Sequence, residues 1–122
     1  MKIWKCTTQS EHLIDTPVVA CIGYFDGLHL GHMALVNNTL SKAAELSSES
    51  AIITFDPDPW VIIKQAQDVQ HLTTMKQRQE LAEKAGIEHF IVLDFTKEMS
   101  NLSEYDFVEL LLKNFNIKAM IC

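Results

Sequence analysis

The sequence has few cysteines, and their spacing is typical of neither a disulfide framework nor a metal site. Cys6, Cys21 and Cys122 are far apart and odd in number, which argues against a disulfide-stabilised extracellular fold. Cys21 lies within an apolar run, where a small thiol usually packs as a core residue. We therefore expect a reduced protein with a cytoplasmic location.

The chain also lacks long apolar stretches and an excess of positive charge. Its longest apolar runs, such as residues 18–22, are far shorter than the roughly 20 residues that cross a bilayer. Ten basic residues against sixteen acidic ones give a formal net charge of −6. An acidic chain does not present the basic face that attracts nucleic acids or anionic membranes, so we expect neither as a partner. A phosphate site would have to be formed by a few neighbouring residues, because the overall charge of the chain does not favour an anion.

Strand patterns and helix patterns alternate along the 122 residues. Strands are predicted over residues 18–22, 51–55, 90–93 and 117–121, and helices over residues 32–46, from 73 or 74 to 86, and after 103. This alternation predicts an α/β fold with a parallel sheet and right-handed crossovers. The length fits a single domain.

The last predicted helix has a clear start. Ser103, followed three residues later by Asp106, resembles a capping box. The apolar residues that follow repeat at helical spacing, and we expect them all to face the core: Phe107, Val108, Leu111, Leu112 and Phe115.

Residues 23–32, between the first predicted strand and the first predicted helix, contain three of the four glycines and two of the five histidines. Glycines let the backbone turn sharply and approach a ligand closely, and a helix start offers N–H groups to phosphate. His29 and His32 can each donate a hydrogen bond to a phosphoryl oxygen. The pattern predicts a phosphate site, with a structural turn as the alternative. No third ligand has a spacing typical of zinc, and we assign no metal ligands.

Residues 29–32, His-Leu-Gly-His, match the H-x-G-H signature of the nucleotidyltransferase superfamily. The longer string over residues 23–32 resembles the FMN adenylyltransferase module of bacterial FAD synthetases, the bifunctional riboflavin kinase/FMN adenylyltransferase family. Residues 54–59 resemble that family's T-F-D-P-H-P segment, with Asp58 in place of the usual histidine. Further similarity follows in the same order at residues 72–73, 79–86, 92–96 and 102–108.

The resemblance implies a Rossmann-like, three-layer α/β/α fold and the transfer of AMP from ATP to FMN with Mg²⁺, which yields FAD and pyrophosphate. His29 and His32 would be the catalytic residues, because they would hold the ATP phosphates. The ATP-binding residues would be Gly23, Tyr24, Phe25, Asp26, Gly27, His29, Gly31 and His32. The flavin-binding residues would be Phe55, Asp56, Pro57, Asp58, Pro59 and Trp60.

The resemblance also implies that residues 1–122 are one incomplete nucleotidyltransferase domain without the riboflavin kinase domain. The family continues after the fourth predicted strand with a glycine-rich, aromatic segment, so we expect this chain to convert FMN slowly or not at all. One alternative is another small nucleotidyltransferase of the H-x-G-H superfamily, such as a cytidylyltransferase or a pantetheine-phosphate adenylyltransferase, although residues 55–57 argue against it. The other is a non-catalytic nucleotide-binding domain.

Overall fold

A parallel sheet flanked by helices forms the protein, whose computed structural model describes residues 1–23, 25, 30–56 and 75–121, with the backbone alone for residues 30–32. The elements within these residues are β1 (Lys2–Cys6), β2 (Ile14–Ile22), α1 (Leu30–Glu45), β3 (Glu49–Asp56), α2 (Met75–Ala85), β4 (His89–Asp94), α3 (Lys97–Ser100), α4 (Glu104–Asn114) and β5 (Phe115–Ile121). The predicted alternation of strands and helices is confirmed. β1 and the first half of β2 were not predicted.

The five strands of the described residues lie in the order β1-β4-β3-β2-β5, and every neighbouring pair is parallel. From β2 the chain moves through β3 to β4 in one direction, and then returns to place β5 on the other side of β2. The strand order therefore changes direction between β2 and β5. In open parallel sheets, ligands bind beside such a switch point, at the carboxyl ends of the strands.

Helices cover both faces of the sheet, because successive side chains of a buried strand point to opposite faces. On one face, Ile52 of β3 belongs to an apolar cluster with Val36 of α1 and Ala82 of α2. On the other face, Ile53 belongs to a second cluster with Leu110 and other residues of α3 and α4. The predicted three-layer α/β/α architecture is confirmed. None of the helices in the described part of the chain is long and apolar enough to span a membrane.

Capping residues set the start of α4 and the end of α2. The Ser103 hydroxyl accepts a hydrogen bond from the Asp106 backbone N–H at 3.1 Å at the start of α4, which confirms the predicted cap. α2 ends at Ala85, and Gly86 follows with a φ of 102°, a left-handed conformation that favours glycine at this position. These ends fix where each chain segment returns to the sheet.

The predicted core-facing stripe of α4 is partly wrong. Val108 is 50% exposed and Leu112 is 53% exposed, whereas Leu110 and Leu111 are buried. Apolar residues occupy more than one face of this helix, and the face that docks also includes Asn114, whose side-chain amide donates to the Leu110 carbonyl at 3.0 Å. Phe115, predicted within the helix, is the first residue of β5, where it is buried.

Candidate active site

The candidate site lies at the carboxyl edge of the sheet, where β2 ends and α1 begins. β2 ends at Ile22 and α1 begins at Leu30, so the glycine-rich segment falls between a strand and a helix, as predicted. The Gly23 N–H donates to the Ile53 carbonyl at 3.0 Å, which extends the pairing of β2 with β3 by one residue. This junction adjoins the switch point between β2 and β5.

Phe25 anchors the connection between β2 and α1 in the core. Its ring is fully buried in the apolar cluster that includes Val36 and Ala82. Its φ of 56° is uncommon for a residue with a side chain and costs free energy, which burial of the ring offsets. A Cβ added to Gly23 would lie 3.3 Å from Cε2 of Phe25, so the close approach of these two residues favours glycine there.

The end of β3 divides its last two side chains between the two faces of the sheet. Phe55 packs with its ring edge-to-face against Phe95, with ring centres 5.5 Å apart, in the cluster on the α3 and α4 side. Asp56 is exposed and lies in register with Asp94 of β4. The Asp56 carbonyl accepts a hydrogen bond from the Phe95 N–H at 3.2 Å. The roles of Phe55 and Asp56 in flavin binding stay predictions.

A groove of about 310 Å³ opens beside Asp56 at the start of α2. Its lining residues come from β1, β3, β4 and α2: Ile3, Trp4, Lys5, Asp56, Met75, Gln79, Val92 and Asp94. Lys5 was not predicted at this edge, because β1 was not predicted. The groove shows that α2 begins above the carboxyl ends of β3 and β4.

The start of α1 provides the other described part of the site. Gly31 and His32 are in its first turn, where backbone N–H groups have no partner within the helix, and this turn contains no acidic residue. Both features favour an anion. The other predicted site residues lie outside the described residues: Tyr24, Asp26, Gly27, His29, Pro57, Asp58, Pro59 and Trp60. Within the described residues, no group of three or more histidine, cysteine or acidic side chains could hold a metal ion.

Comparison with known proteins gives the family. The family model for FAD synthetase matches residues 11–122, which include the β2–α1 junction and every strand except β1. The chain belongs to the FAD synthetase family. This assignment agrees with the resemblance carried by residues 23–32 and 54–59.

Relatives in this family are longer than the chain. A bifunctional riboflavin kinase/FMN adenylyltransferase from Listeria monocytogenes is 32% identical over 113 residues, which are 92% of this chain and 36% of that protein. A second protein from the same bacterium, an FAD synthetase, is 32% identical over 105 residues, 84% of this chain and 42% of its own length. The bifunctional protein of Bacillus subtilis is 28% identical over 118 residues, and 37% of its length is covered. The chain thus spans between a third and a half of these relatives.

A solved structure supports the fold. The crystal structure of a macrolide-efflux protein from Streptococcus pneumoniae superposes with a TM-score of 0.81 over 98% of this chain and 47% of that chain. The two sequences are 21% identical, so this similarity concerns the architecture alone.

Proposed function

We propose that this member of the FAD synthetase family transfers AMP from ATP to FMN, which yields FAD and pyrophosphate. The observation that carries the proposal is the place of residues 23–32 in the fold. β2 ends just before this segment, α1 begins within it, and the strand order changes direction beside it. A segment with glycines and two histidines at that point suits the phosphates of a nucleotide.

The reaction needs no nucleophile from the protein. An oxygen of the FMN phosphate attacks the α-phosphorus of ATP, the bond from that phosphorus to the bridging oxygen breaks, and pyrophosphate leaves with the electron pair. The protein has to position the two phosphates and stabilise the charge that builds up on the leaving group. In our proposal, His29 and His32 donate hydrogen bonds to the ATP phosphates, and the N–H groups at the start of α1 add to this stabilisation.

The junction between β2 and α1 shapes the nucleotide site in this proposal. The buried ring of Phe25 fixes the path of the chain, and Gly23 keeps the space that the ring needs. Gly31, in the first turn of α1, has no side chain that would keep a phosphate away from the backbone. Tyr24, Asp26 and Gly27, which lie next to Phe25 in the sequence, complete the proposed ATP-binding set.

Magnesium would accompany the ATP phosphates and neutralise part of their charge. Mg²⁺ prefers oxygen ligands and usually combines one or two carboxylates with substrate phosphates. The Asp56 carboxylate, exposed at the end of β3, fits such a role. Asp26 is a second candidate, because it lies within the proposed phosphate-binding segment.

The flavin acceptor would bind beside the same edge, at the last two residues of β3 and the residues that follow them. Residues 54–59 resemble the family's T-F-D-P-H-P segment, which implies a flavin site there. An aromatic face such as that of Trp60 can stack on a flat ring. Asp58 stands where the family usually has histidine. The proposed flavin residues are Phe55, Asp56, Pro57, Asp58, Pro59 and Trp60.

The test is to incubate the purified chain with ATP, FMN and Mg²⁺ and to separate the flavins by chromatography. FAD formation, even slow, supports the proposal. A parallel reaction replaces ATP by CTP, and another replaces FMN by pantetheine phosphate. A product in either of these, without FAD, would identify a different nucleotidyltransferase, and ATP binding without any product would identify a nucleotide-binding domain. If the chain forms no product and does not bind ATP, the proposed function is refuted.

A further inference from the structure

His89, the first residue of β4, is buried with both ring nitrogens in polar contacts. Only 4% of its surface is exposed. Its Nδ1 accepts a hydrogen bond from the Trp4 indole N–H at 3.0 Å, and its Nε2 lies 3.2 Å from a carboxylate oxygen of Glu49. An indole N–H can only donate, and an ionised carboxylate can only accept. These two partners therefore select the neutral ring with its proton on Nε2.

The contact with Trp4 is incompatible with a charged His89 ring. A protonated imidazole carries a hydrogen on each nitrogen and has no acceptor, so the Nδ1 hydrogen would face the indole hydrogen of Trp4. Turning the ring over restores no acceptor, because both nitrogens then donate. The bond to Glu49 needs only a donor at Nε2, which both forms of the ring have. Uptake of one proton by His89 thus breaks one contact and adds charge to the other.

The charged groups near His89 come from the three strands at this end of the sheet. Glu49 of β3 contacts the ring and favours its charged form. Lys2 of β1 is in register with His89 and exposed, so water screens its repulsion. The Glu88 carboxylate, next to His89 in the chain, accepts a hydrogen bond from the Ser50 N–H at 3.4 Å. The helices packed on this face contribute apolar core residues: Met99, Leu110 and Leu111.

β1 is held less firmly than a central strand. It lies at one end of the described sheet, where β4 is its single neighbour, and it has only five residues. The hydrogen bond from Trp4 to His89 ties the middle of β1 to β4 through side chains. β1 also contributes Ile3, Trp4 and Lys5 to the lining of the groove beside Asp56. The position of this groove wall therefore depends on how firmly β1 is attached.

We propose that His89 is a pH-sensitive latch, whose protonation releases the Trp4 indole and loosens β1, one wall of the groove beside Asp56. The neutral ring holds Trp4 at neutral pH, and the charged ring at acidic pH leaves the indole N–H without this acceptor. Loss of one such hydrogen bond shifts the local opening of a strand by roughly tenfold. The latch does not depend on the chemistry proposed for the candidate site.

Nuclear magnetic resonance of ¹⁵N-labelled protein tests the latch. The Trp4 indole signal and the His89 ring nitrogens are followed between about pH 8 and pH 5, the interval in which histidines generally change charge. Hydrogen exchange of the β1 amides is measured over the same interval and corrected for the intrinsic effect of pH. His89→Asn places an amide oxygen near the position of Nδ1 and does not titrate. His12→Asn makes the same substitution at an exposed histidine and is the matched control.

We expect the Trp4 indole signal to shift with the same midpoint as the protonation of His89, and the β1 amides to exchange roughly tenfold faster at the acidic end. His12→Asn should respond like the wild type, whereas the Trp4 signal of His89→Asn should not depend on pH. The proposal is overturned if the Trp4 shift persists in folded His89→Asn, or if His89 stays neutral down to about pH 5. It is also overturned if exchange of the β1 amides changes by less than about twofold. If His89→Asn does not fold, different midpoints for Trp4 and His89 in the wild type overturn it.

Discussion

Phe25 illustrates how one buried residue can fix the path of the chain at the candidate site. The left-handed backbone of Phe25, with φ at 56°, turns the chain after β2, and the fully buried ring holds that turn in place. Gly23 contributes by leaving room for the ring. The stability of the junction between β2 and α1 therefore depends on one aromatic side chain.

We expect Phe25→Ala to lower the free energy of unfolding by about 3–5 kcal/mol, the usual loss when a buried aromatic ring is removed. Urea denaturation measures this difference. Tyr105→Ala is the matched control, because the Tyr105 ring is 72% exposed and its removal should change stability by less than about 0.5 kcal/mol. A loss below about 1 kcal/mol for Phe25→Ala would show that the ring does not anchor the junction.

Cys6 and Cys21 are both buried, and burial raises the pKa of each thiol, that of Cys6 to about 11. Because the thiolate is the reactive form, about one Cys6 in a thousand is reactive at pH 8. In a Cys122→Ser variant we expect a thiol reagent to react very slowly with the folded protein. After denaturation in urea, the same reagent should react with two thiols, those of Cys6 and Cys21. Rapid reaction of the folded variant would contradict the described burial.

A network of hydrogen-bonded polar side chains links four strands near their amino ends, away from the candidate site. The Trp4 indole N–H donates to Nδ1 of His89 at 3.0 Å. Since Nδ1 accepts, Nε2 carries the proton and donates to the Glu49 carboxylate at 3.2 Å. The Thr16 hydroxyl also donates to Glu49. Together these contacts connect β1, β4, β3 and β2.

These contacts predict an acid-dependent term in stability. The hydrogen bond from Thr16, followed by that from His89, holds the pKa of Glu49 below its usual value of 4.5. A pKa that is lower in the folded state stabilises the fold above the unfolded pKa, and this contribution disappears as the pH falls through the folded pKa. Glu49→Gln should therefore be less stable than the wild type at pH 7, and the difference should shrink below about pH 4.

Urea denaturation at neutral and acidic pH measures this effect. Thr16→Val removes the first of the two hydrogen bonds and should lower stability at pH 7 in the same direction as Glu49→Gln. The two losses should not add in the double variant, because both substitutions disrupt one interaction. A difference between Glu49→Gln and the wild type that stays constant from pH 7 to about pH 3.5 would contradict this account.

The elements that could be predicted from the sequence are those marked by features of neighbouring residues, such as apolar periodicity or a capping residue. α1, β3, the end of α2 and the start of α4 follow from apolar periodicity, Gly86 and Ser103. β1 was missed because Lys2 and Lys5 interrupt its apolar pattern in only five residues. The first half of β2 was missed because proline usually excludes a strand. Pro17 is accommodated there at a register shift against β5, before pairing with β3 begins at Val18.

The candidate site depends on contacts between parts of the chain that are distant in sequence. The position of residues 23–32 could be predicted, because glycines and a strand-to-helix junction are local features. The burial of Arg78 could not, because it results from the docking of α2 on a sheet whose strand order is not local. The same holds for Lys5, which reaches the groove beside Asp56 only because β1 pairs with β4.

In the proposed function, His29 and His32 hold the phosphates of a nucleotide beside the switch point of the sheet. Calorimetric titration of ATP with Mg²⁺ into the wild type, His29→Ala and His32→Ala measures this contribution. His12→Ala is the control, because His12 is exposed near the start of β2. We expect the wild type and His12→Ala to bind alike. His29→Ala and His32→Ala should each bind roughly tenfold to a hundredfold more weakly, since a charge-assisted hydrogen bond contributes about 1.5–3 kcal/mol. Unchanged affinity in both folded variants would contradict a phosphate-binding role for His29 and His32.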